Sequence, residues 1–383
     1  MHYNIKLPDN KSVKIRLMIA DFVRGRALPL LKDDDCNDVV VVRRALEALQ
    51  HADKCATVKV NVEDCGAALR FITAVAAALP LHTVISGTPR LMQRPLSPLI
   101  DALNSAGASV EKVEDNIVIE GKTMNVRELS VDASLSSQFV SALILAAPLM
   151  NLHKVNLLSS KIPSLSYAKM SLSCVPDFDV TVQGVEKQMF ADLGEPGDWS
   201  AAAFWFAHSC LHPDNSYSLH PLSLESVQED SLVAKWFSEL GGNVSSHCDT
   251  VDFRFQKPGD KPVKTFDMSQ NLDLVPVLAA LACALPADFT FLNVGNLRFK
   301  ESDRLHELAI QLAPFAEISY NEDFMRICGY ENNDFSDSFF CSRQDHRLAM
   351  AFLLLTGKTG ENRIDDVSCI SKSYPTLLSQ LVE

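Results

Sequence analysis

One arrangement of residues recurs three times along the chain and limits its fold more than any other feature. Residues 99–121, 232–255 and 308–329 each combine apolar residues at helical spacing with two short alternating segments around an acidic or amide turn. This pattern predicts an amphipathic helix followed by a β-hairpin. Its repetition favours an α/β protein built by internal duplication, and the irregular spacing of the copies argues against a solenoid.

The length of the chain indicates two domains. Its 383 residues exceed what one hydrophobic core commonly organises. The best candidate for a boundary is residues 193–200, "LGEPGDWS", where glycine and proline interrupt the pattern. A boundary at this segment divides the chain into two nearly equal halves.

The composition excludes several classes of protein. The net charge of −13 argues against a general binder of nucleic acid or of acidic membranes. The first residues, "MHYNIKLPDNKS", lack the apolar core of a signal peptide, and the longest apolar runs fall short of the ~20 residues that a membrane span needs. No two of the ten cysteines form a Cys-x-x-Cys pair, so we expect reduced thiols in a cytoplasmic protein rather than disulfides or a zinc site.

A charged stretch at residues 296–305, "NLRFKESDRL", follows a predicted strand and leads into a predicted helix. A helix beginning near Ser302 would place Lys300 and Arg304 one turn apart, where like charges repel. Asp273 interrupts an otherwise apolar segment. It is therefore a buried and paired carboxylate, a base with a shifted pKa, or an ordinary residue at a helix N-terminus.

Further polar or small residues stand at predicted junctions between turns and helices. They are Lys11, Ser12 and Arg16; Gly66; Arg90; Ser136, Ser137 and Gln138; Ser164 and Tyr167; Arg347; and Lys372. Taken singly, most are explained equally well or better as helix caps, packing residues or surface charges. Taken together in an acidic protein, cations at the ends of elements predict a pocket for a polyanion. Asp273 and Glu301 among them indicate acid–base chemistry.

The order of five motifs carries a resemblance to a known family. They are Lys-Ser-x-x-x-Arg from residue 11, Gly-x-Pro-Arg-x-x-x-Arg-Pro from 87, Ser-x-Ser-Ser-Gln-Phe from 134, Asn-x-Arg-x-Lys-Glu-Ser-Asp-Arg from 296 and Asp-His-Arg-x-Ala-Met from 345. In these motifs the chain resembles the 5-enolpyruvylshikimate-3-phosphate synthases, the 3-phosphoshikimate 1-carboxyvinyltransferases of the shikimate pathway. The resemblance extends from Lys11 to about Pro375.

The resemblance implies a fold and a reaction. The fold is a two-domain inside-out α/β barrel, with three βαβαββ repeats in each domain and the active site in the cleft between them. The domains would be residues 11–196, on the shikimate 3-phosphate side, and residues 1–10 with 197–383, on the phosphoenolpyruvate and acid–base side. The enzyme would transfer the enolpyruvyl group of phosphoenolpyruvate to the 5-hydroxyl of shikimate 3-phosphate, for aromatic amino acid biosynthesis. We expect a cytoplasmic monomer without metal or cofactor.

The resemblance also implies the role of each candidate residue. Phosphoenolpyruvate would be held by Lys11, Arg90, Arg304, Arg347 and Lys372. Shikimate 3-phosphate would be held by Ser12, Arg16, Ser136, Ser137, Gln138, Ser164, Tyr167, Asn296 and Lys300, with Gly66 and Asp273 also among the substrate-binding residues. Asp273 would accept the proton of the 5-hydroxyl. Glu301, with Lys11, would transfer the proton at the enol carbon.

The sequence departs from the family pattern at three places: Asp9-Asn10 before Lys11, Lys14-Ile15 before Arg16, and residues 64–67 around Gly66. Two alternatives therefore stay open. One is the sister enzyme that uses UDP-N-acetylglucosamine as acceptor, although the segment 87–95 lacks its usual cysteine. The other is a homologue that binds a sugar phosphate without catalysis, against which the presence of Lys11, Asp273 and Glu301 argues.

Overall fold

The chain forms two compact units. The computed structural model describes residues 1–53, 55–187, 197–256, 259–357 and 362–381. The N-terminal unit comprises Lys11–Gly194, and the C-terminal unit comprises Met1–Asn10 with Glu195–Glu383. The predicted crossover at residues 196 and 197 adjoins residues 188–196, which lie outside the described part of the chain. The point at which the chain leaves the N-terminal unit therefore stays a prediction.

The strands of the described residues are short. In chain order they are β1 His2–Lys6, β2 Val58–Asn61, β3 His82–Ser86, β4 Ser109–Val113, β5 Asn116–Glu120, β6 Glu128–Val131, β7 Lys154–Leu157, β8 Thr181–Val182, β9 Ser216–His220, β10 Gly242–His247, β11 Thr250–Phe255, β12 Val263–Asp267, β13 Asp288–Leu292, β14 Ala316–Tyr320 and β15 Phe324–Gly329.

The α-helices connect these strands. They are α1 Lys11–Val23, α2 Asn37–Gln50, α3 Gly66–Ala77, α4 Pro89–Met92, α5 Ser97–Ser105, α6 Gln138–Met150, α7 Ser166–Cys174, α8 Trp199–Leu211, α9 Leu232–Glu239, α10 Val275–Ala284, α11 Arg304–Leu312, α12 His346–Thr356 and α13 Leu377–Gln380. Short 3-10 helices cover Glu229–Ser231, Leu272–Leu274, Gly295–Phe299 and Ser368–Lys372.

The three repeated segments fold as predicted, each into a helix followed by an antiparallel hairpin. They are α5 with β4 and β5, α9 with β10 and β11, and α11 with β14 and β15. Each hairpin completes a four-stranded sheet, in the orders β2-β3-β5-β4, β1-β9-β11-β10 and β12-β13-β15-β14. The first two strands of each sheet are parallel. A parallel pair needs a crossover connection, which α3 supplies between β2 and β3 and α10 supplies between β12 and β13, whereas the chain from β1 to β9 runs through the N-terminal unit before α8.

Helices lie inside each unit, with the sheets around them. In α10 every residue from Val275 to Cys283 is buried, and α6 and α8 are buried along nearly their whole length. A helix that is apolar on all faces belongs in the centre of a core. The strands instead alternate between buried and exposed positions, as in β5 and β13. Each unit therefore has its own continuous hydrophobic core.

Two predictions about the chain as a whole concern its thiols and its helices. Each of the ten cysteines is a free thiol in the structure. Within the described ranges, no helix is both long enough and apolar enough to cross a membrane.

Candidate active site

The polar site of the N-terminal unit is built around Arg16. Because α1 begins at Lys11, Ser12 and Arg16 stand on successive turns, and Arg16 Nη1 donates to the Ser12 carbonyl at 2.8 Å. Arg16 is only 3% exposed. Its Nε donates to Ser171 Oγ at 2.7 Å, and its Nη2 donates to the Tyr167 carbonyl at 3.3 Å. The structure thus brings together Ser12, Arg16 and Tyr167, which the sequence predicted as ligands of one substrate.

The charge of Arg16 has no acidic partner among the residues that the structure describes. Its Nη2 also reaches Ser141 Oγ at 3.3 Å, and its guanidinium carbon lies 5.2 Å from the centre of the Phe71 ring. Among the residues that the structure describes, no carboxylate forms an ion pair with Arg16. Burial lowers the pKa of the Arg16 guanidinium. A buried cation held only by neutral oxygens and an aromatic face can accept an anionic ligand at low electrostatic cost.

Sequence reasoning missed the two serines that hold Arg16. Ser171 is four residues after Tyr167 on α7, and Ser141 is three residues after Gln138 on α6. These spacings place each serine one turn from a residue that was identified. A search for polar residues one helical turn from Tyr167 and Gln138 could therefore have identified Ser171 and Ser141.

Lys11 has a carboxylate partner that the sequence did not predict. Its Nζ donates to Asp38 Oδ2 at 2.8 Å, and Asp38 is buried in the first turn of α2. Lys14, one of the residues at which the sequence departs from the family pattern, pairs with Asp35 at 2.6 Å. The departure at Lys14 therefore has its own acidic partner.

The predicted cap of α6 is formed by one of the two candidate serines. Ser136 Oγ accepts a hydrogen bond from the Gln138 backbone N–H at 3.2 Å, whereas the side chain of Ser137 makes no capping bond. Gln138 Oε1 is buried and accepts no hydrogen bond from the described residues. Ser164, with a φ of +53°, accepts a hydrogen bond from the backbone N–H of Tyr167 at 3.1 Å. The guanidinium carbon of Arg16 lies 5.5 Å from the centre of the Tyr167 ring.

Gly66 begins α3 at a place where side chains of the same unit crowd the backbone. A Cβ atom at this position would lie 2.8 Å from Arg94 Nη1 and 3.1 Å from Arg70 Nη1. The space left by the missing side chain thus admits two guanidinium groups. Arg90 is an exposed residue of the single turn α4. The substrate-binding roles of Gly66 and Arg90 stay predictions.

The predicted repulsion between Lys300 and Arg304 is wrong. The helix begins at Arg304 rather than near Ser302, because Asp303 Oδ1 caps it by accepting the His306 backbone N–H at 3.1 Å. Lys300 lies before the helix, directly after the 3-10 helix Gly295–Phe299 that contains Asn296. Lys300 Nζ and Arg304 Nη1 both donate to Asp273 Oδ1, at 3.2 Å and 2.8 Å. The two cations share a carboxylate instead of facing each other across a helical turn.

Arg304 is the centre of the polar site of the C-terminal unit. It is 1% exposed and bonds three carboxylates. Nε and Nη2 bind Asp345 at 2.8 Å and 3.1 Å, Nη1 binds Asp273, and Nη2 binds Glu301 at 2.8 Å. Burial disfavours its charged form, but these carboxylates outweigh burial and raise the pKa of Arg304. Asp345, which sequence reasoning did not single out, also caps α12 and accepts from Ser302 Oγ at 2.9 Å.

Asp273 is a paired carboxylate with a weakened basicity. It lies half-buried in the 3-10 helix Leu272–Leu274, just before α10. Burial alone would raise its pKa, but Lys300, Arg304 and Arg347 together hold the pKa of Asp273 well below its ordinary value. Of the possibilities left open by the sequence, the structure shows a paired carboxylate with a downward shift. Asp273 is therefore a poor proton acceptor until the cations around it are engaged elsewhere.

Glu301 and Lys372 extend the same cluster. Glu301 Oε1 lies 3.8 Å from Lys372 Nζ, and Lys372 is buried at the end of the 3-10 helix Ser368–Lys372. Glu301 thus contacts two cations from different elements. Glu301 and Asp273 are also linked to each other, because both accept hydrogen bonds from Arg304.

Arg347 is a buried guanidinium with an unused donor. It is the second residue of α12, is 5% exposed, and its backbone N–H donates to Asp345 Oδ1 at 2.9 Å. Its Nε forms no hydrogen bond with the described residues. Burial lowers its pKa, but Asp273, Asp198 and Asp230 reverse this effect and raise the pKa of Arg347. An unused donor on a buried cation is a candidate contact for an anionic ligand.

The arrangement in the C-terminal unit can stabilise negative charge and move protons. Lys300, Arg304, Arg347 and Lys372 supply positive charge, while Asp273 and Glu301 supply two carboxylates. Within the described ranges, no group of three or more His, Cys, Asp or Glu side chains is placed to hold a metal ion. The chemistry available from these side chains is acid–base catalysis with electrostatic stabilisation by cations.

Solved structures identify the class of fold. EPSP synthase from Acinetobacter baumannii matches with a TM-score of 0.66 at 18% identity, over 99% of this chain and 94% of that chain. The enolpyruvyl transferase NikO from Streptomyces tendae matches with a TM-score of 0.68 at 14% identity, over 99% and 93%. The protein therefore has the two-domain α/β fold of the enolpyruvyl transferases, and the predicted fold class is confirmed.

The sequence then identifies the family. The family model of EPSP synthase (3-phosphoshikimate 1-carboxyvinyltransferase) matches residues 23–381, so this chain belongs to the EPSP synthase family. A 3-phosphoshikimate 1-carboxyvinyltransferase of Bacteroides fragilis is 28% identical over 97% of this chain and 92% of its own length. One of Dehalococcoides mccartyi is 31% identical over 83% and 76%. The family resemblance that the five motifs carried is confirmed.

Proposed function

We propose that this protein transfers the enolpyruvyl group of phosphoenolpyruvate to the 5-hydroxyl of shikimate 3-phosphate and releases phosphate. Membership of the EPSP synthase family supports this function over transfer to UDP-N-acetylglucosamine. The observation that carries the proposal is the cluster in which Asp273 and Glu301 share the buried Arg304. It provides two carboxylates for proton transfer among the cations that an anionic substrate requires.

Phosphoenolpyruvate is proposed to bind Arg347 and Lys372, together with Lys11, Arg90 and Arg304. The unused Nε donor of the buried Arg347 supports this assignment. Arg304 contributes in a different way. Four of the five N–H groups of a guanidinium are accounted for by bonds to carboxylates, which leaves one for a ligand. Its larger contribution is to hold Asp273 and Glu301 in place.

Shikimate 3-phosphate is proposed to bind the hydroxyl, amide and cationic side chains that the family motifs select. These are Ser12, Arg16, Ser136, Ser137, Gln138, Ser164, Tyr167, Asn296 and Lys300. Gly66 is also proposed as a substrate-binding residue. The buried charge of Arg16, which only neutral groups hold among the described residues, supports its role with a phosphorylated ligand. The unsatisfied Oε1 of Gln138 can accept a substrate hydroxyl.

The proposed chemistry is addition followed by elimination. Glu301, with Lys11, donates a proton to the methylene carbon of phosphoenolpyruvate, while the 5-hydroxyl oxygen bonds to the enol carbon and gives its proton to Asp273. The tetrahedral intermediate then returns a proton from its methyl group to the Glu301 carboxylate as the carbon–oxygen bond to phosphate breaks. The electron pair of that bond leaves with phosphate, so that the enolpyruvyl double bond is restored.

Substrate binding is proposed to activate Asp273. In the ligand-free protein, Lys300, Arg304 and Arg347 keep the pKa of Asp273 low. An anion that pairs with Lys300 and Arg347 weakens their hold on Asp273, because each cation then shares its charge between two anions. The pKa of Asp273 rises as a result. Asp273 then becomes a base only when both substrates are bound.

We also propose that the enzyme acts as a monomer in the cytoplasm and needs no metal.

Phosphate release with two acceptors tests the function. The purified protein should release phosphate from phosphoenolpyruvate with shikimate 3-phosphate and not with UDP-N-acetylglucosamine. Release with the UDP-sugar alone would establish the sister reaction. Binding of both substrates without phosphate release would establish a non-catalytic homologue.

Glu301→Gln tests the assignment of the proton donor. The amide keeps the shape of Glu301 but cannot supply the proton, so kcat should fall by about 10²- to 10⁴-fold. The dissociation constant of shikimate 3-phosphate, measured by calorimetry, should change much less. Glu307→Gln, on the following helix α11, is the matched control and should leave kcat unchanged. An unchanged kcat in Glu301→Gln would remove Glu301 from the chemistry.

A further inference from the structure

A further carboxylate, Asp230, is buried beside the acid–base cluster of the C-terminal unit. It is 2% exposed and lies in the 3-10 helix Glu229–Ser231. Asn271 Nδ2 donates to its Oδ1 at 3.1 Å. Ser200 Oγ and Gln228 Nε2 donate to its Oδ2, the latter at 3.4 Å. All three donors are neutral, and among the described residues Asp230 forms no ion pair.

The charged groups around Asp230 do not favour its ionised form. Asp273, from the 3-10 helix Leu272–Leu274, repels it, and Arg347 of α12 attracts it only weakly by comparison. Asp198 stands at the start of α8, two residues from Ser200. On its own element Glu229 is half-buried. The charged residues of the neighbouring α9, Lys235 and Glu239, are exposed and lie 4.0 Å from each other.

The cluster as a whole has more acids than bases. Its cations are Lys300, Arg304, Arg347 and Lys372, and its carboxylates are Asp198, Asp230, Asp273, Glu301 and Asp345. An anionic substrate adds further negative charge to this group. Unless a cation enters with it, the least costly compensation is a proton on one of the carboxylates.

Hydrogen bonding distinguishes which carboxylate can take that proton. Asp273, Glu301 and Asp345 each accept a bond from a guanidinium, and Asp198 accepts the backbone N–H groups of Ser200 and Ala201. Only neutral side chains donate to Asp230 within the described residues. Of the five carboxylates in the cluster, Asp230 is therefore the one whose ionised form is least stabilised by its hydrogen bonds.

We propose that Asp230 takes up a proton when an anionic substrate binds to the cations of the C-terminal unit. This coupling rests on the proposed function, which supplies the anion. The contacts suit the protonated form, because the hydroxyl of Ser200 can rotate from donating to accepting without moving a heavy atom. Burial and the neighbouring Asp273 already raise the pKa of Asp230 to about 6. A further anion nearby raises this pKa past neutral pH, so that the carboxyl group gains a proton.

Calorimetry measures the uptake directly. Phosphoenolpyruvate is titrated into the protein at pH 7 in two buffers of different ionisation enthalpy, and the difference in apparent enthalpy gives the number of protons taken up. The wild-type protein should take up more protons than Asp230→Asn, whose amide keeps the shape of the protonated acid. Equal uptake by the two proteins would overturn the proposal. Glu229→Gln is the matched control and should behave as wild type.

The pH dependence of KM gives a second readout. Between pH 6 and 8 the ratio of wild-type to Asp230→Asn KM for phosphoenolpyruvate should rise by up to about tenfold per pH unit, because only the wild type must gain a proton. A variant that binds much more weakly than wild type at pH 6 would show instead that the ionised carboxylate is needed. If Asp230→Asn does not fold, Asp230→Ser, which also lacks a titratable carboxyl group, is measured instead, and proton uptake equal to that of the wild type would overturn the proposal.

The two failures are distinguishable. If the wild-type protein neither binds phosphoenolpyruvate nor releases phosphate with shikimate 3-phosphate, the proposed function fails and the coupling fails with it. If the wild-type protein turns over but its proton uptake does not depend on Asp230, only the coupling fails.

Discussion

Arg16 and Arg304 are both buried arginines, but their surroundings are opposite. Arg16, in the N-terminal unit, donates to serine hydroxyls and backbone carbonyls, and its guanidinium lies over aromatic rings. Arg304, in the C-terminal unit, donates to Asp345, Asp273 and Glu301. One guanidinium keeps its charge available for a ligand, whereas the other uses its charge to hold carboxylates in place.

The difference teaches that burial of a cation does not define its role. A buried charge is costly in either case, but removal of a paired cation or its partner leaves another charge uncompensated. Removal of Arg16 leaves no described acid without its partner. We therefore expect changes around Arg304 to reduce stability strongly, and changes around Arg16 to reduce substrate binding.

The largest effect is expected from Asp345→Ala. It leaves Arg304 without two of its hydrogen bonds and removes the cap of α12, so the free energy of unfolding should fall by about 3–5 kcal/mol. Urea denaturation followed by tryptophan fluorescence measures it, because Trp199, Trp205 and Trp236 all lie in the C-terminal unit.

Asp303→Ala is the control for this prediction. Asp303 also caps a helix with its side chain, but it has no described role in holding Arg304. Loss of the cap alone should cost about 1 kcal/mol. Equal losses in the two variants would show that the Arg304–Asp345 pair contributes little.

Arg16→Met should weaken binding rather than folding. Loss of hydrogen bonds from a charged group to shikimate 3-phosphate should cost about 1.5–3 kcal/mol, a 10- to 150-fold rise in the dissociation constant measured by calorimetry. Far-UV circular dichroism should show a loss of stability well below that of Asp345→Ala. Arg24→Met, just after α1, is the control because Arg24 is already paired with Asp177. A loss of stability without a loss of affinity would give Arg16 a structural role.

The two units also differ in a buried histidine that makes the C-terminal unit sensitive to acid. Burial, with a smaller contribution from His212, lowers the pKa of His208 to about 3, and its Nδ1 lies 2.8 Å from the Tyr217 hydroxyl. Below pH 6.5 the unfolded chain binds a proton at this residue and the folded protein does not. Stability therefore falls as the pH falls from 6.5 towards 3, by about 1.4 kcal/mol per pH unit from this group.

His208→Gln isolates that contribution. Unfolding followed by tryptophan fluorescence at several pH values should show a shallower decline for the variant than for wild type between pH 6 and 4. His306→Gln, which changes an exposed histidine of the same unit, should retain the wild-type slope. Parallel curves for His208→Gln and wild type would show that His208 is protonated in the folded protein.

The smallest effect is expected from Ser171→Ala. It removes the hydroxyl that accepts from Arg16 Nε at 2.7 Å, so shikimate 3-phosphate should bind about 1 kcal/mol more weakly, several-fold in the dissociation constant. Ser173→Ala, on the same helix with its hydroxyl bonded to the Lys169 carbonyl, should bind normally. A normal dissociation constant for Ser171→Ala would mean that the neutral partners do not position Arg16.

The sequence predicted those features that depend on near neighbours. The helix-and-hairpin segments at 99–121, 232–255 and 308–329 formed because apolar periodicity of 3.6 and then 2 residues selects each element locally. The placement of charged residues at the ends of helices and strands could also be predicted from the sequence. The start of α11 was not, because Ser302 and Asp303 are both suited to cap a helix, and Ser302 Oγ instead donates to the distant Asp345, so that Asp303 is the cap.

The sequence by itself determined the α/β repeats and the family, and it predicted the residues proposed to carry the chemistry. The tertiary structure alone decided which of them are partners. Arg304 meets Asp345 across 41 residues of chain, and Arg16 meets Ser171 across 155. Periodicity reports which face of an element is buried, but not which side chain of another element lies opposite. The opposite electrostatic surroundings of Arg16 and Arg304 therefore became visible only once the chain was folded.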